Sequence, residues 1–319
     1  MIFPKDFLEN YSNAYVLYDK ELETLASSFS DGLPSLGISA LESNKNLATV
    51  EKICRWLMDC GADRKALLIA IGGGCISDIG GFVAGIYKRG IGFAIVPTTL
   101  LSMVDASIGG KTGVNLDAYK NMIGVFHRCD RIFLVPEVLD SLPERQWREG
   151  SAEMLKTFLI RDAEGYERAL GALHSRGETL MESIRGAAAI KKSIVEQDPL
   201  EHGLRKILNL GHSWAHAIEW KSQGGIPHGG AVAMGIVRAA FLSQRLGITK
   251  REDLCERIKT DFSNLGLPVE MPFTEKELLP AILKDKKAEG KGIDFVLLED
   301  IGRAVIKNLT ADDLLEHTK

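Results

Sequence analysis

The sequence has few cysteines and lacks any CxxC pair: only five thiols occur among 319 residues. This odd number, without paired spacing, argues against a disulfide framework and is typical of reduced thiols that fill a core. No apolar run is long enough to span a bilayer, and the first residues, MIFPKDFLEN, contain no apolar signal core. We therefore predict a cytoplasmic protein without a membrane partner.

An excess of positive charge is also lacking, because 39 Lys and Arg residues face 43 Asp and Glu residues, for a net charge of −4. Proteins that bind nucleic acid or anionic membranes are usually basic, so neither partner is expected. Hydrophobic residues make up 45% and charged residues 26%, which is typical of a soluble globular protein and argues against disorder. The length suits two domains.

The hydrophobic pattern divides the chain into two parts. Up to about residue 140, β-rich runs at 15–19, 66–71, 92–96 and 131–135 alternate with helical patterns at 47–60 and 76–87. Such alternation predicts a mostly parallel sheet that is buried on both faces. From residue 144 onward the spacing predicts helices over 144–160, 163–173, 177–197, 204–220, 229–246 and 250–264, then a small hairpin at 295–306. We expect an α/β domain over 1–140 and a helical domain over 141–319, with a ligand cleft between them.

Three glycines, Gly72–Gly74, stand between the apolar run ALLIAI and a helical pattern. In this order, backbone N–H groups at a helix N-terminus can approach a phosphate, because glycine has no Cβ to block it. The spacing is not GxGxxG, since Ser77 occupies the third glycine position. A tight turn that only packs helix on strand therefore remains the alternative. The later GGKT is not a P-loop, because Asp105 stands where the first glycine is needed.

Cationic and amide side chains recur between residues 88 and 121, among glycines and threonines. They are Lys88, Arg89, Lys111, Asn115, Lys120 and Asn121, and the acid Asp105 lies among them. Fixed cations in glycine-rich loops suit a small anion such as phosphate or carboxylate. The alternative is an ordinary solvated surface.

Histidine is scarce, yet three of the seven histidines fall within residues 212–228. His212 and His216 lie about one helical turn apart, and His228 opens the next helical pattern. Catalytic zinc sites take three N or O ligands, so spacing alone predicts a site made by these three histidines. Ser213 replaces the glutamate of HExxH, which disfavours a zinc peptidase. Capping or core histidines are the alternative. A carboxylate ligand could come from EGSAEMLK, where small residues surround Glu153, and a charged helix face is the alternative there.

Together these stretches resemble the 3-dehydroquinate synthase family of the sugar-phosphate cyclase superfamily. The matching segments, in family order, include GGGCISDIGGFVAGIYKRG, SIGGKTGVN, KNMIGVF, LPERQWREGSAEMLK, EQDPLEHGLRKILNLGHSWAHAIE, PHGGAVAMG and DKKAEGKGIDFVLL. They run from about residue 42 to residue 306. The resemblance implies an N-terminal α/β Rossmann-like dinucleotide-binding domain plus an all-α C-terminal domain. Trp214 is bulkier than the usual family residue, and we expect it to pack into the helical core.

The resemblance also implies roles for individual residues. The metal ligands for Zn²⁺ or Co²⁺ become Glu153, His212 and His228, so Glu153 replaces His216 in the set predicted from spacing. The residues implied for NAD⁺ are Glu42, Lys45, Gly73, Gly74, Asp78, Thr98, Thr99 and Lys120. The residues implied for substrate binding and catalysis are Arg89, Asp105, Lys111, Asn121, Lys156, Lys191, Arg205, Asn209, His216, Lys286 (rather than Lys287) and Glu201 as a proton acceptor.

The implied activity is a carbon–oxygen lyase reaction on a sugar-acid phosphate in the shikimate route to aromatic amino acids. The family converts 3-deoxy-D-arabino-heptulosonate 7-phosphate to 3-dehydroquinate and phosphate. Its steps are transient NAD-dependent oxidation, phosphate elimination, re-reduction, ring opening and aldol closure. The alternatives are a metal-dependent polyol or alcohol dehydrogenase and another sugar-phosphate cyclase. The resemblance further implies a homodimer.

Overall fold

The computed structural model describes residues 3–30, 32–117, 119–284 and 292–317. The chain divides into two compact units, Met1–Leu142 and Pro143–Lys319. Within the described ranges, the helices are too short or too polar to cross a membrane.

The first unit alternates strands and helices, as its sequence pattern predicts. Its elements are α1 (Lys5–Leu8), β1 (Ala14–Asp19), α2 (Glu23–Ser30), β2 (Ser35–Ile38), α3 (Leu47–Asp59), β3 (Leu67–Gly72), α4 (Gly74–Ile86), β4 (Gly92–Pro97), β5 (Lys111–Leu116), β6 (Tyr119–Phe126) and β7 (Arg131–Ile132).

A parallel sheet forms the centre of this unit, with the strand order β2-β1-β3-β4-β7. Every residue of β3 is buried, because α3 and α4 pack their apolar residues onto the sheet. The predicted α/β fold is therefore confirmed. Strand β2 was not predicted, since its sequence SLGI is short, contains glycine and is half exposed at the edge of the sheet.

The glycine-rich region after β4 differs from the prediction of loops. Residues Lys111–Leu116 and Tyr119–Phe126 pair as an antiparallel hairpin, β5–β6. Gly113 and Gly124 are opposite each other, and a Cβ on Gly124 would lie 2.4 Å from the Thr112 carbonyl oxygen. Glycine is thus required by the close strand approach, a cause that the composition alone did not reveal.

The second unit is mostly helical. Its elements are α5 (Glu144–Arg161), α6 (Ala163–Ser175), α7 (Thr179–Gln197), α8 (His212–Lys221), α9 (His228–Arg245), α10 (Leu254–Asn264), α11 (Glu275–Lys284), β8 (Ile293–Asp300), β9 (Arg303–Leu309) and α12 (Ala311–His317). The predicted hairpin is present as β8–β9, which are antiparallel. Helices α11 and α12 were not predicted.

The helix predicted over 204–220 is wrong as a single element. A 3₁₀ helix at Leu204–Asn209 ends at Leu210, whose ψ of 123° is not helical, and α8 begins after Gly211 with φ of 79°. This left-handed conformation suits glycine and breaks the helix. A Cβ on Gly211 would also lie 2.7 Å from the backbone nitrogen of Ile236 in α9. The break redirects the chain immediately before His212.

An ion pair and a cap fix the start of α11. Both the backbone N–H and the hydroxyl of Thr274 donate to Glu277 Oε2 at 2.9 Å, and Lys221 Nζ lies 3.2 Å from Oε1. These donors lower the pKa of Glu277 to about 2 from its ordinary 4.5, and the Thr274 N–H has the largest effect. A carboxylate with a lowered pKa stabilises the fold above its unfolded pKa and loses that contribution as the pH falls through the folded value.

We therefore expect the Glu277→Gln variant to melt at a lower temperature than the wild type at neutral pH. The difference in Tm should shrink as the pH falls below about 4.5 toward about 2, because the wild-type carboxylate then becomes protonated. Thermal melts across this pH range measure the effect. A difference that stays constant with pH would contradict the role of the ionised carboxylate.

Candidate active site

In the first unit, the buried side chain of Lys45 lies at the centre of a hydrogen-bonded cluster that includes several residues assigned to NAD⁺ by the resemblance. The Lys45 Nζ donates to Asp78 Oδ2 and to Asn121 Oδ1, both at 2.5 Å. Asn115 links the cluster to Glu42, whose Oε1 accepts from Asn115 Nδ2 at 2.7 Å. Asn121, which the resemblance assigns to the substrate, therefore contacts the residues expected to bind the cofactor.

The predicted strand–glycine–helix turn lies beside a threonine pair. Gly73 caps α4, and a Cβ there would lie 3.1 Å from Thr99 Cγ2. The Thr98 N–H donates to the Gly72 carbonyl at 3.0 Å, and Thr99 exchanges hydrogen bonds with Ser102. The turn is thus narrow and leaves the first N–H groups of α4 next to small side chains, as phosphate binding requires.

The remaining residues that the resemblance selects in the first unit lie at its surface. Arg89 and Asn121 have positive φ values of 70° and 54°. Lys111 begins β5, Lys120 lies in β6 beside Asn121, and Asp105 lies in a turn of π helix after β4. All but Asp105, which is partly buried, are exposed.

In the second unit, three potential metal ligands converge. One ligand atom from each of Glu153, His212 and His228 lies within 4.8 Å of the other two, and among the described residues no other group of His, Cys, Asp or Glu does this. Glu153 Oε1 is 3.5 Å from His212 Nε2 and 3.3 Å from His228 Nε2. Hence the set predicted from histidine spacing, with His216 as third ligand, is not the set that the fold assembles.

Glycines let three helices approach closely enough to form this group. His228 is the first residue of α9, and a Cβ on the next residue, Gly229, would lie 2.3 Å from Glu149 Cα in α5. Further along α9, a Cβ on Gly235 would lie 2.1 Å from the Gly211 carbonyl oxygen. No side chain larger than hydrogen fits at either contact. The positions of the histidines therefore depend on backbone contacts of α9 with α5 and with the start of α8.

Hydrogen bonds at the far ring nitrogens orient both imidazoles. The Nδ1 atom of His212 is 3.1 Å from the Leu210 carbonyl oxygen, and the Nδ1 atom of His228 is 3.0 Å from Glu219 Oε2. With Nδ1 held in this way, Nε2 of each ring points toward Glu153, where it can coordinate a cation once it carries no proton. Such outer partners are the usual companions of metal-bound histidine.

The charges of the group fit a divalent cation. Glu153 is 1% exposed, and although burial raises its pKa, Lys156, His212 and His228 lower it well below the ordinary range. Burial together with Lys156 lowers the pKa of His212, which keeps that ring neutral. Burial also lowers the pKa of His228, but hydrogen bonds to Glu153 and Glu219 raise it to about 10. The carboxylates of Glu153 and Glu219 thus favour a cation at this point. Two imidazole nitrogens and one carboxylate oxygen are a donor set that suits Zn²⁺ or Co²⁺.

The other residues predicted in the second unit lie in α5, α7 and α8 and in the segment that precedes α8. Lys156 is 2% exposed and forms an ion pair with Glu153. The exposed ring of His216 lies edge-on to His212, with centroids 5.6 Å apart. Asn209 donates to Glu201 at 2.8 Å, and Lys191 is buried in α7. Lys286 and its alternative Lys287 lie outside the described residues.

Sequence reasoning missed Asp198, which organises the segment that carries Glu201 and Arg205. Its carboxylate accepts hydrogen bonds from the backbone N–H groups of His202, Gly203 and Arg205 at 2.8–3.0 Å. These donors lower the pKa of Asp198. Glu201 adopts a φ of 63°, and the Arg205 side chain, 3% exposed, donates to the Pro199 carbonyl. The available signal was an aspartate at a helix end directly before proline, a pair that favours the start of a turn.

Glu219 is the second functional residue that sequence reasoning missed. It lies seven residues after His212, two helical turns along α8, and it accepts from His228 of the next helix. The signal was a glutamate on the same helical face as the two histidines. Only the fold shows that its partner is His228.

We expect the Glu219→Gln variant to bind Zn²⁺ about 10–100-fold more weakly, because the His228 ring loses its charged outer partner. Competition with a chromophoric chelator measures the affinity. Glu167→Gln is a matched control, since Glu167 of α6 accepts hydrogen bonds from Arg257 of α10 and neither helix carries a proposed ligand, so the affinity should be unchanged. Equal affinities in all three proteins would show that Glu219 does not support a metal ligand.

Comparison with known proteins identifies relatives over nearly the whole chain. A family model described as the 3-dehydroquinate synthase N-terminal matches residues 35–149, and one described as the 3-dehydroquinate synthase C-terminal matches residues 150–288. A 3-dehydroquinate synthase of Acidithiobacillus ferrooxidans is 42% identical over 302 residues, which cover 92% of this chain and 82% of the relative. One from Dictyoglomus thermophilum is 37% identical and covers 99% and 91%, respectively.

Solved structures show the same fold. A 2-epi-5-epi-valiolone synthase from Streptomyces hygroscopicus, with NAD⁺ and Zn²⁺ bound, is 28% identical with a TM-score of 0.89 and covers 99% of this chain and 93% of its own. A 2-deoxy-scyllo-inosose synthase complexed with carbaglucose-6-phosphate, NAD⁺ and Co²⁺ has a TM-score of 0.86 at 24% identity and covers 98% and 91%. Because both family models match in order and several relatives exceed 35% identity over most of their length, the chain belongs to the 3-dehydroquinate synthase family.

Proposed function

We propose that this chain catalyses the conversion of 3-deoxy-D-arabino-heptulosonate 7-phosphate to 3-dehydroquinate and phosphate, as a lyase. The observation that carries the proposal is the group of buried Glu153 with partly buried His212 and His228, in a chain that is 42% identical to a 3-dehydroquinate synthase. The solved cyclases with other names are more distant, at 28% and 24% identity. The curated relatives therefore favour the dehydroquinate product over a valiolone or inosose ring.

Two cofactors follow from this assignment. Zn²⁺ or Co²⁺ would be held by Glu153, His212 and His228. NAD⁺ would be held in the first unit by the Gly73 turn and the Lys45 cluster, with contacts from Glu42, Gly74, Asp78, Thr98, Thr99 and Lys120. When bound, NAD⁺ supplies reversible hydride acceptance, and the metal ion supplies a Lewis acid for the substrate hydroxyl groups.

The charged residues of the two units would bind the two anionic ends of the substrate. We assign Lys111 and Arg205 to the carboxylate, and Arg89, Asn121, Asn209 and Lys286 to the phosphate. Arg205 is suited to this role because its backbone is fixed by Asp198 and its guanidinium is buried. A guanidinium held in place binds a carboxylate through two parallel hydrogen bonds. Orienting one flexible substrate in this way is a large part of catalysis.

Three residues of the second unit would transfer protons or stabilise the developing charge. We assign Glu201 as the proton acceptor, with Asn209 holding its Oε1 at 2.8 Å. His216 is exposed beside His212 and would exchange a proton with a substrate oxygen through its ring nitrogen. Lys156 would present its ammonium beside Glu153 and stabilise developing negative charge on the substrate. Lys191 and Asp105 complete the proposed contacts.

We also propose that the protein is a homodimer and that it is located in the cytoplasm. Strand β6 exposes Tyr119, Met122 and Phe126, at 60%, 58% and 55%, which is the kind of apolar surface that marks a protein interface. The five cysteines are all free thiols, as in a reducing compartment. Sedimentation analysis of the molar mass tests the dimer.

One assay separates this function from its alternatives. The metal-loaded protein receives the heptulosonate phosphate and a trace of NAD⁺, and inorganic phosphate and nicotinamide absorbance are followed together. We expect many phosphates released per NAD⁺ with no net NADH. Accumulation of NADH without phosphate would indicate a polyol or alcohol dehydrogenase, and phosphate release only from sugar phosphates without a carboxylate would indicate another cyclase.

The proposed carboxylate contact predicts the behaviour of Arg205→Ala. Loss of a charged hydrogen bond of about 3 kcal/mol should lower kcat/KM about 100-fold or more. NAD⁺ affinity, measured by fluorescence titration, should stay at the wild-type value. Arg205→Lys should fall between the two, because it keeps the charge and loses the planar fork. An equal loss of NAD⁺ binding and activity in the alanine variant would contradict the assignment.

A further inference from the structure

A buried network connects the two helices that carry the proposed histidine ligands. Trp214, fully buried in α8, donates its Nε1–H to both carboxylate oxygens of Glu275, at 3.1 Å and 3.0 Å. Its ring packs on Phe295 of β8 with centroids 5.0 Å apart. Trp214 lies two residues after His212, so a shift of the indole would move the His212 backbone with it.

The same carboxylate also binds α9. Arg238 of α9 donates its Nε–H to Glu275 Oε1, and its guanidinium stacks over Phe241 at 4.7 Å. Glu275 itself begins α11, where the helix dipole favours a negative charge. Its side chain is 9% exposed, so the ion pair has little competition from water. One carboxylate therefore joins α8, α9 and α11.

We propose that Trp214, Glu275 and Arg238 are positioning residues that hold α8 against α9 and thereby fix the distance between His212 and His228. This inference rests on the proposed metal ligands and concerns residues that do not touch the metal themselves. A network that fixes the ligands in advance raises metal affinity, because less ordering remains to be done on binding.

A general contribution to stability is the competing explanation, and the chain contains a matched control for it. In the second unit, Tyr166, fully buried in α6, donates to Asp261 Oδ2 at 3.1 Å, and Arg257 Nε donates to the same oxygen at 2.8 Å. The chemistry is the same: a buried aromatic donor, a carboxylate and an arginine. This network joins α6 to α10, and neither helix carries a proposed ligand.

The experiment compares Trp214→Phe and Glu275→Gln with Tyr166→Phe and Asp261→Asn. For each full-length protein we would measure the Tm without metal, the Zn²⁺ affinity by chelator competition, and the visible d–d absorption with Co²⁺. We expect all four variants to melt at a lower temperature than the wild type. Only Trp214→Phe and Glu275→Gln should lose about tenfold in Zn²⁺ affinity and show an altered Co²⁺ spectrum.

The outcomes separate this inference from the proposed function. If Trp214→Phe and Glu275→Gln both kept the wild-type metal affinity and spectrum, the positioning role would be overturned. Loss of Zn²⁺ binding in His228→Ala would in that case still support the proposed ligand set. An equal loss in all four variants would mean that global stability sets the affinity, and would also overturn it. If the wild type and His228→Ala bound Zn²⁺ equally, the ligand set and this inference would both fail.

Discussion

The buried carboxylate of Glu153 is the constraint on which the second unit depends. A carboxylate that is 1% exposed is costly unless positive charge surrounds it. The fold supplies this charge from Lys156 on the same helix and from the His228 ring of α9, and the neutral His212 ring of α8 lies beside the same carboxylate. Removing one partner would leave a charge buried without compensation. The requirement to neutralise Glu153 therefore brings together three helices that are distant in sequence.

Small residues make this arrangement geometrically possible. The backbone contacts at Gly229 and Gly235 allow α9 to approach α5 and the start of α8 more closely than side chains would permit. Around them lie the hydrogen bonds that aim the ligands, from Leu210 and Glu219, and the Trp214–Glu275–Arg238 network. The first unit follows the same logic on a smaller scale, since buried Lys45 unites Asp78 and Asn121. In both units one buried ionic group sets the positions of several polar residues.

Much of the fold could be predicted, because local patterns carry it. The run ALLIAI followed by three glycines specified strand, turn and helix, since each of those elements depends on adjacent residues. The β5–β6 hairpin could not be predicted in this way: its glycines are explained by a close approach of two strands, and several of its large apolar residues are exposed. The break before α8 was equally hidden, because Gly211 is demanded by its contact with α9 rather than by its own neighbours.

The sequence by itself determined the kinds of donor in the candidate site, through a scarce residue clustered at 212–228 and a family resemblance that covers most of the chain. Spacing along α8 favoured His216 as a ligand, because helical periodicity reports only which residues share a face. The family resemblance already implied Glu153 in place of His216, and the fold brings it beside both rings. Only the tertiary structure decided that Glu219 orients His228 and that Asp198 shapes the Arg205 segment. These choices depend on distances between elements far apart in the chain, and such distances are set by backbone packing that no local pattern records.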